Sequence, residues 1–128
     1  MLVTRYLHAL ETADAGAAIA LFAPDGIVHS PLYGTLPATE FYPALFADTA
    51  ASRLTLRRVM RGDDEGTPTI AFWFDFAWVL ANGDPAPFTV VDVAELDDQG
   101  RIAQLHIVHD TAPIRAAFDR QRAARPTS

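Results

Sequence analysis

The stretch Ile70–Leu80, IAFWFDFAWVL, constrains the fold more than any other part of the chain. Sorted at the two-residue period of a strand, one face carries Ile70, Phe72, Phe74, Phe76 and Trp78, and the other Ala71, Trp73, Asp75, Ala77 and Val79. Both faces are largely apolar, so a strand here requires cover on both sides. A core or pocket supplies one cover, and a partner subunit is expected to supply the other.

Three more runs read as strands: Leu54–Met60, Phe88–Leu96 and, after the turn DDQG, Arg101–Asp110. ANGDP is a hairpin connection between the second and third runs of this half. The front half is helical. Leu2, Tyr6 and Leu10 recur at i, i+4 and mark one apolar stripe. Asp14 is placed to cap a second helix through Ile19, Leu21 and Phe22, which APDG is expected to stop and turn. A short strand, Ile27–Ser30, follows and ends at Pro31. A third helix is expected over ATEFYPALFADTA with Thr39 as its cap, Pro43 making its first turn awkward. Helices first and a meander of strands after predict an α+β fold, with helices on one face of a curved, mostly antiparallel sheet.

At 128 residues, half of them hydrophobic and a fifth charged, the chain has the size and core of one domain. We expect that domain to span residues 1–119, with the basic stretch RQRAARPTS, 120–128, as a disordered tail. The complete lack of cysteine removes disulfides, thiolate metal sites and cysteine nucleophiles. A formal charge of −6 argues against a nucleic-acid partner. No apolar run has the length of a membrane span or the pattern of a signal peptide, so no membrane partner and a cytoplasmic location are expected.

The face arithmetic also isolates the chemistry. On Phe88–Leu96, Asp92 is the only polar side chain on the face of Phe88, Val90, Ala94 and Leu96. A carboxyl group in such surroundings is desolvated, its pKa rises, and it can stay protonated near neutral pH. On the last strand His109 shares a face with Ala103, Leu105 and Ile107, whereas His106 points the other way. The pair therefore does not converge on a metal, and none is expected. His29 and Ser30 likewise occupy opposite faces. No G-x-S-x-G elbow surrounds the serine, which beside Pro31 reads as a turn residue. His8 lies on the polar side of the first helix.

Several strings resemble the bacterial ketosteroid isomerases of the NTF2-like (SnoaL-like) superfamily: RYLHALETADAGAAIALFAPDGIVHSP from Arg5 to Pro31, GT at Gly34–Thr35, EFY at Glu40–Tyr42, and FTVVDVAEL. The resemblance covers about Arg5 to Phe118 and implies a cone of three helices on a strongly curved sheet. It also implies an oxyanion hole made by a tyrosine and a protonated aspartic acid, here Tyr6 and Asp92, with Tyr42 as the helper that hydrogen-bonds the first. The aspartate that serves those enzymes as base is matched by Ser30, a very poor base. His109 falls where the isomerases have an apolar pocket ring and becomes the candidate replacement base, with His29 in reserve. Trp73 and Asp75 match the outer sheet face through which the isomerases dimerise. They leave no arginine of the kind that epoxide-hydrolysing relatives use.

The expectation is a small-molecule enzyme acting on a hydrophobic carbonyl compound by isomerisation, cyclisation or dehydration. Phe72, Phe74, Phe76, Val90, Leu105 and Ile107 would line its pocket, no cofactor would be required, and a homodimer would form through the outer sheet face. A non-catalytic ligand-binding or dimerisation module on the same scaffold is the alternative.

Overall fold

The computed structural model describes residues 1–124. Three helices, α1 (Leu2–Glu11), α2 (Ala15–Ile19) and α3 (Ala38–Ala47), are interleaved with β1 (Phe22–Ser30) and β2 (Gly34–Pro37). The strands β3 (Thr49–Gly62), β4 (Thr69–Leu80), β5 (Phe88–Leu96) and β6 (Ile102–Val108) follow, and α4 (Ala112–Ala124) ends the described chain. The strands form one curved, unclosed sheet in the order β2-β1-β6-β5-β4-β3. Every pairing is antiparallel except β1 with β6. Among the described residues no helix is long and apolar enough to cross a membrane.

The concave side is the core. Val3, Tyr6 and Leu10 of α1 and Phe41 and Tyr42 of α3 pack over the inward residues of β4, Phe72, Phe74, Phe76, Trp78 and Leu80. Each of these large buried side chains contributes on the order of 2 kcal/mol of transfer free energy. The alternation along β4 and β5 follows the two-residue period, buried inward and half-exposed outward. On the outer face of β4 Trp73 is 38% exposed, with the Arg57 guanidinium over its ring, and Met60 on the same face of β3 is 47% exposed.

Four expectations are corrected. The second helix stops at Ile19, because Phe22 already belongs to β1; Asp14 does cap it, accepting from the Ala17 amide at 3.0 Å. APDG does not turn the chain. It forms an irregularity within β1, where the register against β6 shifts between Phe22 and Ile27. Gly26 permits this, since a Cβ there would lie 2.9 Å from the Ile102 carbonyl oxygen and 2.8 Å from the Phe22 ring. Pro37, not Thr39, occupies the cap of α3, and Thr39 lies inside the first turn. Finally, α4 carries the chain in helical form through Arg120 and Gln121 to Ala124, and Gln121 is buried. The expected tail is therefore helical in its first half, and residues 125–128 lie outside the described residues. Neither β2, which hairpins onto β1 with Gly34 at φ 80°, nor α4, whose buried Ile114, Ala117, Phe118 and Gln121 recur at helical spacing, was among the expected elements.

Candidate active site

A pocket opens between the helices and the concave sheet face, and Tyr6, Ser30, Asp92 and His109 all reach it. Its remaining wall is apolar and mainly aromatic, including Tyr33, Phe74, Phe76, Trp78 and Phe88. The interior leaves about 40 Å³ for water-sized molecules, within a concavity of about 440 Å³ that includes the open mouth.

Strand β5 presents Asp92 inward by the same alternation that buries Val90 and Ala94 on either side of it. The carboxyl group is 2% exposed, and its Oδ1 makes no hydrogen bond to the protein. Burial pushes its pKa up to about 8, against a smaller lowering effect of the neighbouring Tyr6 hydroxyl. Asp92 is therefore mostly a neutral carboxylic acid at pH 7, able to donate a hydrogen bond. Tyr6, on the inner stripe of α1, receives a hydrogen bond from the Tyr42 hydroxyl at 2.9 Å. Burial foremost, then the proximity of Tyr42 and Asp92, holds the Tyr6 pKa well above its usual value. Tyr42 is raised as well, chiefly by burial. Both tyrosines keep their protons, and the site has three neutral donors in one apolar enclosure.

His109 stands just beyond β6, half-buried against Phe88 with ring centroids 4.3 Å apart. Its Nδ1 lies 3.1 Å from the Asp110 carbonyl oxygen. A carbonyl only accepts, so Nδ1 carries the proton and Nε2 keeps its lone pair in the neutral ring. Burial lowers the His109 pKa, outweighing the opposing effect of that carbonyl. The ring is thus a neutral imidazole with one free basic nitrogen at physiological pH.

Ser30 reaches the pocket but has another task. Its Oγ accepts the amides of Leu32 at 3.1 Å and Tyr33 at 3.0 Å, shaping the turn after β1. His29 does not join the site. It lies on the outer side, hydrogen-bonded to Gln104 at 2.6 Å and stacked on His106 at 4.7 Å, with His106 bound to Glu95. Of the expected lining, Phe74, Phe76, Val90 and Ile107 face the pocket, whereas Phe72 and Leu105 are buried without lining it. Phe72 instead packs edge-on against Tyr6 at 5.4 Å. Leu10, Leu32, Phe41 and Leu45 from the helices and the turn, and Tyr33, Trp78 and Phe88, were missed as lining residues. The last two share the inward faces already recognised, while Tyr33 sits in a turn without any period. No arginine lines the pocket among the described residues. Arg57 binds Asp75 at 2.6 Å and lies over Trp73, all on the outer face.

The profile of the SnoaL-like domain family matches residues 3–105. An NTF2-like protein of unknown function from Cytophaga hutchinsonii superposes with a TM-score of 0.66 at 20% identity, covering 91% of each chain. An LEH-like epoxide hydrolase of M. tuberculosis gives 0.69 at 19% identity, over 96% of this chain and 90% of that one. TerC, co-crystallised with polyporic acid, gives 0.71 at 17% identity over 96% of both. At these identities the likeness is one of fold.

Proposed function

Because the chain belongs to the SnoaL-like domain family, of the NTF2-like superfamily, we propose that it is an enzyme that turns over a hydrophobic carbonyl compound through an enolate held by Tyr6 and Asp92. The observation that carries this reading is Asp92: a buried acid, neutral at pH 7, beside a second buried donor on the wall of an apolar pocket. A buried carboxyl with one oxygen left without a partner costs stability unless that oxygen has something to hold.

The substrate carbonyl oxygen accepts from the Tyr6 hydroxyl and the Asp92 carboxyl, and both bonds strengthen as negative charge builds on that oxygen. Tyr42, donating to Tyr6, leaves the Tyr6 proton directed to its acceptor. His109 Nε2 takes a proton from the carbon next to the carbonyl, and the electron pair moves into the enolate. Return of that proton to another carbon completes an isomerisation. Attack of the enolate carbon on a second carbonyl of the same molecule closes a ring, the opened C=O becoming an alkoxide that takes its proton from the imidazolium. Alternatively, expulsion of a β-hydroxyl, protonated by the imidazolium, dehydrates the substrate. Ser30, its oxygen committed to two amides, acts as neither base nor nucleophile.

A second reading, a non-catalytic binding module, is favoured by that same turn role of Ser30, since the position matched to the isomerase base is structural. We further propose that the exposed outer face around Trp73 and Met60 is buried in a homodimer; sedimentation of the wild type and of Trp73→Glu tests this.

The enzyme reading is tested by titration with 4-nitrophenol, whose oxygen mimics the enolate and whose colour reports its ionisation. Binding that is lost in Tyr6→Phe and Asp92→Ala but kept in Asp92→Asn is expected, since the amide retains a donor. Binding indifferent to all three substitutions would contradict the oxyanion hole. Imidazole rescue of proton exchange in a His109→Ala variant separates enzyme from binder.

A further inference from the structure

The pocket has space but little of it. About 40 Å³ for water-sized molecules corresponds to roughly three waters. Two of its aromatic walls, Tyr33 and Trp78, are pinned at their polar ends. The Tyr33 hydroxyl donates to Asp48 at 2.6 Å, and Trp78 Nε1 donates to Thr49 Oγ1 at 2.8 Å. Both rings are also backed by one side chain, Phe118 of α4, with centroids 5.4 Å from Tyr33 and 6.0 Å from Trp78. Phe118 is fully buried and does not itself line the pocket.

Helix α4 is fastened in turn to the β4–β5 hairpin. The Asn82 amide donates to Oε1 of buried Gln121 at 2.7 Å, and Arg120 pairs with Asp84 at 3.2 Å. The family match ends at residue 105, so the wedge comes from a helix beyond the matched region. Close-packed walls of this kind resist local enlargement unless the side chain behind them yields. The flat faces of Phe74, Phe76, Trp78 and Phe88 favour a planar occupant over a bulky one.

We infer that Phe118 is a specificity-determining residue, which by wedging Tyr33 and Trp78 restricts the pocket to single-ring planar ligands bearing a phenol or an enolisable ketone. The inference rests on the oxyanion-binding reading and adds the size class and the residue that sets it. Retraction of Phe118, or release of α4 from the hairpin, lets Tyr33 and Trp78 part and admits larger rings.

Wild type, Phe118→Leu and Gln121→Ala are titrated with 4-nitrophenol and with equilenin, a four-ring phenol, after circular dichroism confirms folding. The wild type is expected to bind 4-nitrophenol at least about tenfold more tightly than equilenin. Each variant is expected to narrow that ratio by about tenfold, mainly by gaining equilenin affinity. Gln121→Ala keeps the Phe118 ring but unfastens α4, and the wedge it carries, from the β4–β5 hairpin, and it carries the test if Phe118→Leu does not fold. Equal wild-type affinity for both phenols, or an unchanged ratio in the folded variants, overturns the size limit while leaving the oxyanion hole standing. Failure of both phenols to bind, with Tyr6→Phe indistinguishable from wild type, overturns the oxyanion hole and the size limit with it.

Discussion

The hydroxyl of Tyr42 donates to that of Tyr6 across 2.9 Å, in a pair sealed from solvent. This relationship joins α3 to α1, and it also sets a direction. With its lone pair occupied from one side, the Tyr6 hydroxyl is left to donate on the other, where Asp92 and the pocket lie. Two helices therefore cooperate to aim one proton.

Replacing Tyr42 by Phe removes that donor while keeping the ring that packs on Phe41 and Phe22. The loss of one buried hydrogen bond is worth about 0.5–1.5 kcal/mol. Affinity for 4-nitrophenol should fall by about three- to tenfold, with a small drop in Tm; a titration and a thermal melt check both.

Asp92 makes stability fall with rising pH. Its folded pKa, about 8, lies above that of an unfolded aspartate, so the native state holds the extra proton across the interval between the two values. Stability is greatest below the unfolded pKa and declines by up to about 1.4 kcal/mol per pH unit, levelling off once the folded group itself ionises near pH 8. Asp92→Asn lacks this slope. Urea unfolding should show its stability relative to wild type rising steadily from pH 4 to pH 8.

His109 and Asp92 together predict a bell-shaped dependence of kcat/KM on pH. The rising limb follows loss of the His109 proton, at a pH below the usual histidine range because burial disfavours the cation. The falling limb follows ionisation of Asp92 near pH 8, which converts a donor into an anion facing the developing oxyanion. His109→Ala should lower turnover by about 10²–10⁴-fold and erase the rising limb, leaving the falling limb in place. An intact rising limb would remove His109 from the role of base.

Gly26 tests the irregularity in β1. An alanine methyl there meets a backbone carbonyl at 2.9 Å, which cannot rotate away as a side chain would. Gly26→Ala should cost about 1–3 kcal/mol in chemical denaturation. Gly62→Ala, with open space around it, should cost far less.

Strand faces were legible in the sequence because the two-residue period acts locally: Asp92 inward, His106 and His109 opposed, and His29 opposed to Ser30 all follow from counting. Boundaries set by tertiary contacts were not. The PDG segment carries every local sign of a turn, yet pairing with β6 and the close approach to Ile102 keep it in the strand. Tyr33 as a pocket wall and Phe118 as the side chain behind it were missed for a related reason. One sits in an aperiodic turn and the other on a helix that docks from the far end of the chain, so only packing brings them together at 5.4 Å. Phe72 and Leu105 show the converse limit, since facing inward does not decide whether a residue meets the cavity or the core beneath it.

The protonated state of Asp92 is the hinge of this account, and carboxyl ¹³C NMR of protein labelled at aspartate measures it directly. One resonance should titrate near pH 8 and disappear in Asp92→Asn, while the outer-face Asp75, held down by Arg57 and Thr89, titrates below the ordinary aspartate range. A spectrum in which the Asp92 carboxyl ionises at or below the ordinary aspartate value would contradict the neutral donor, and with it the oxyanion hole.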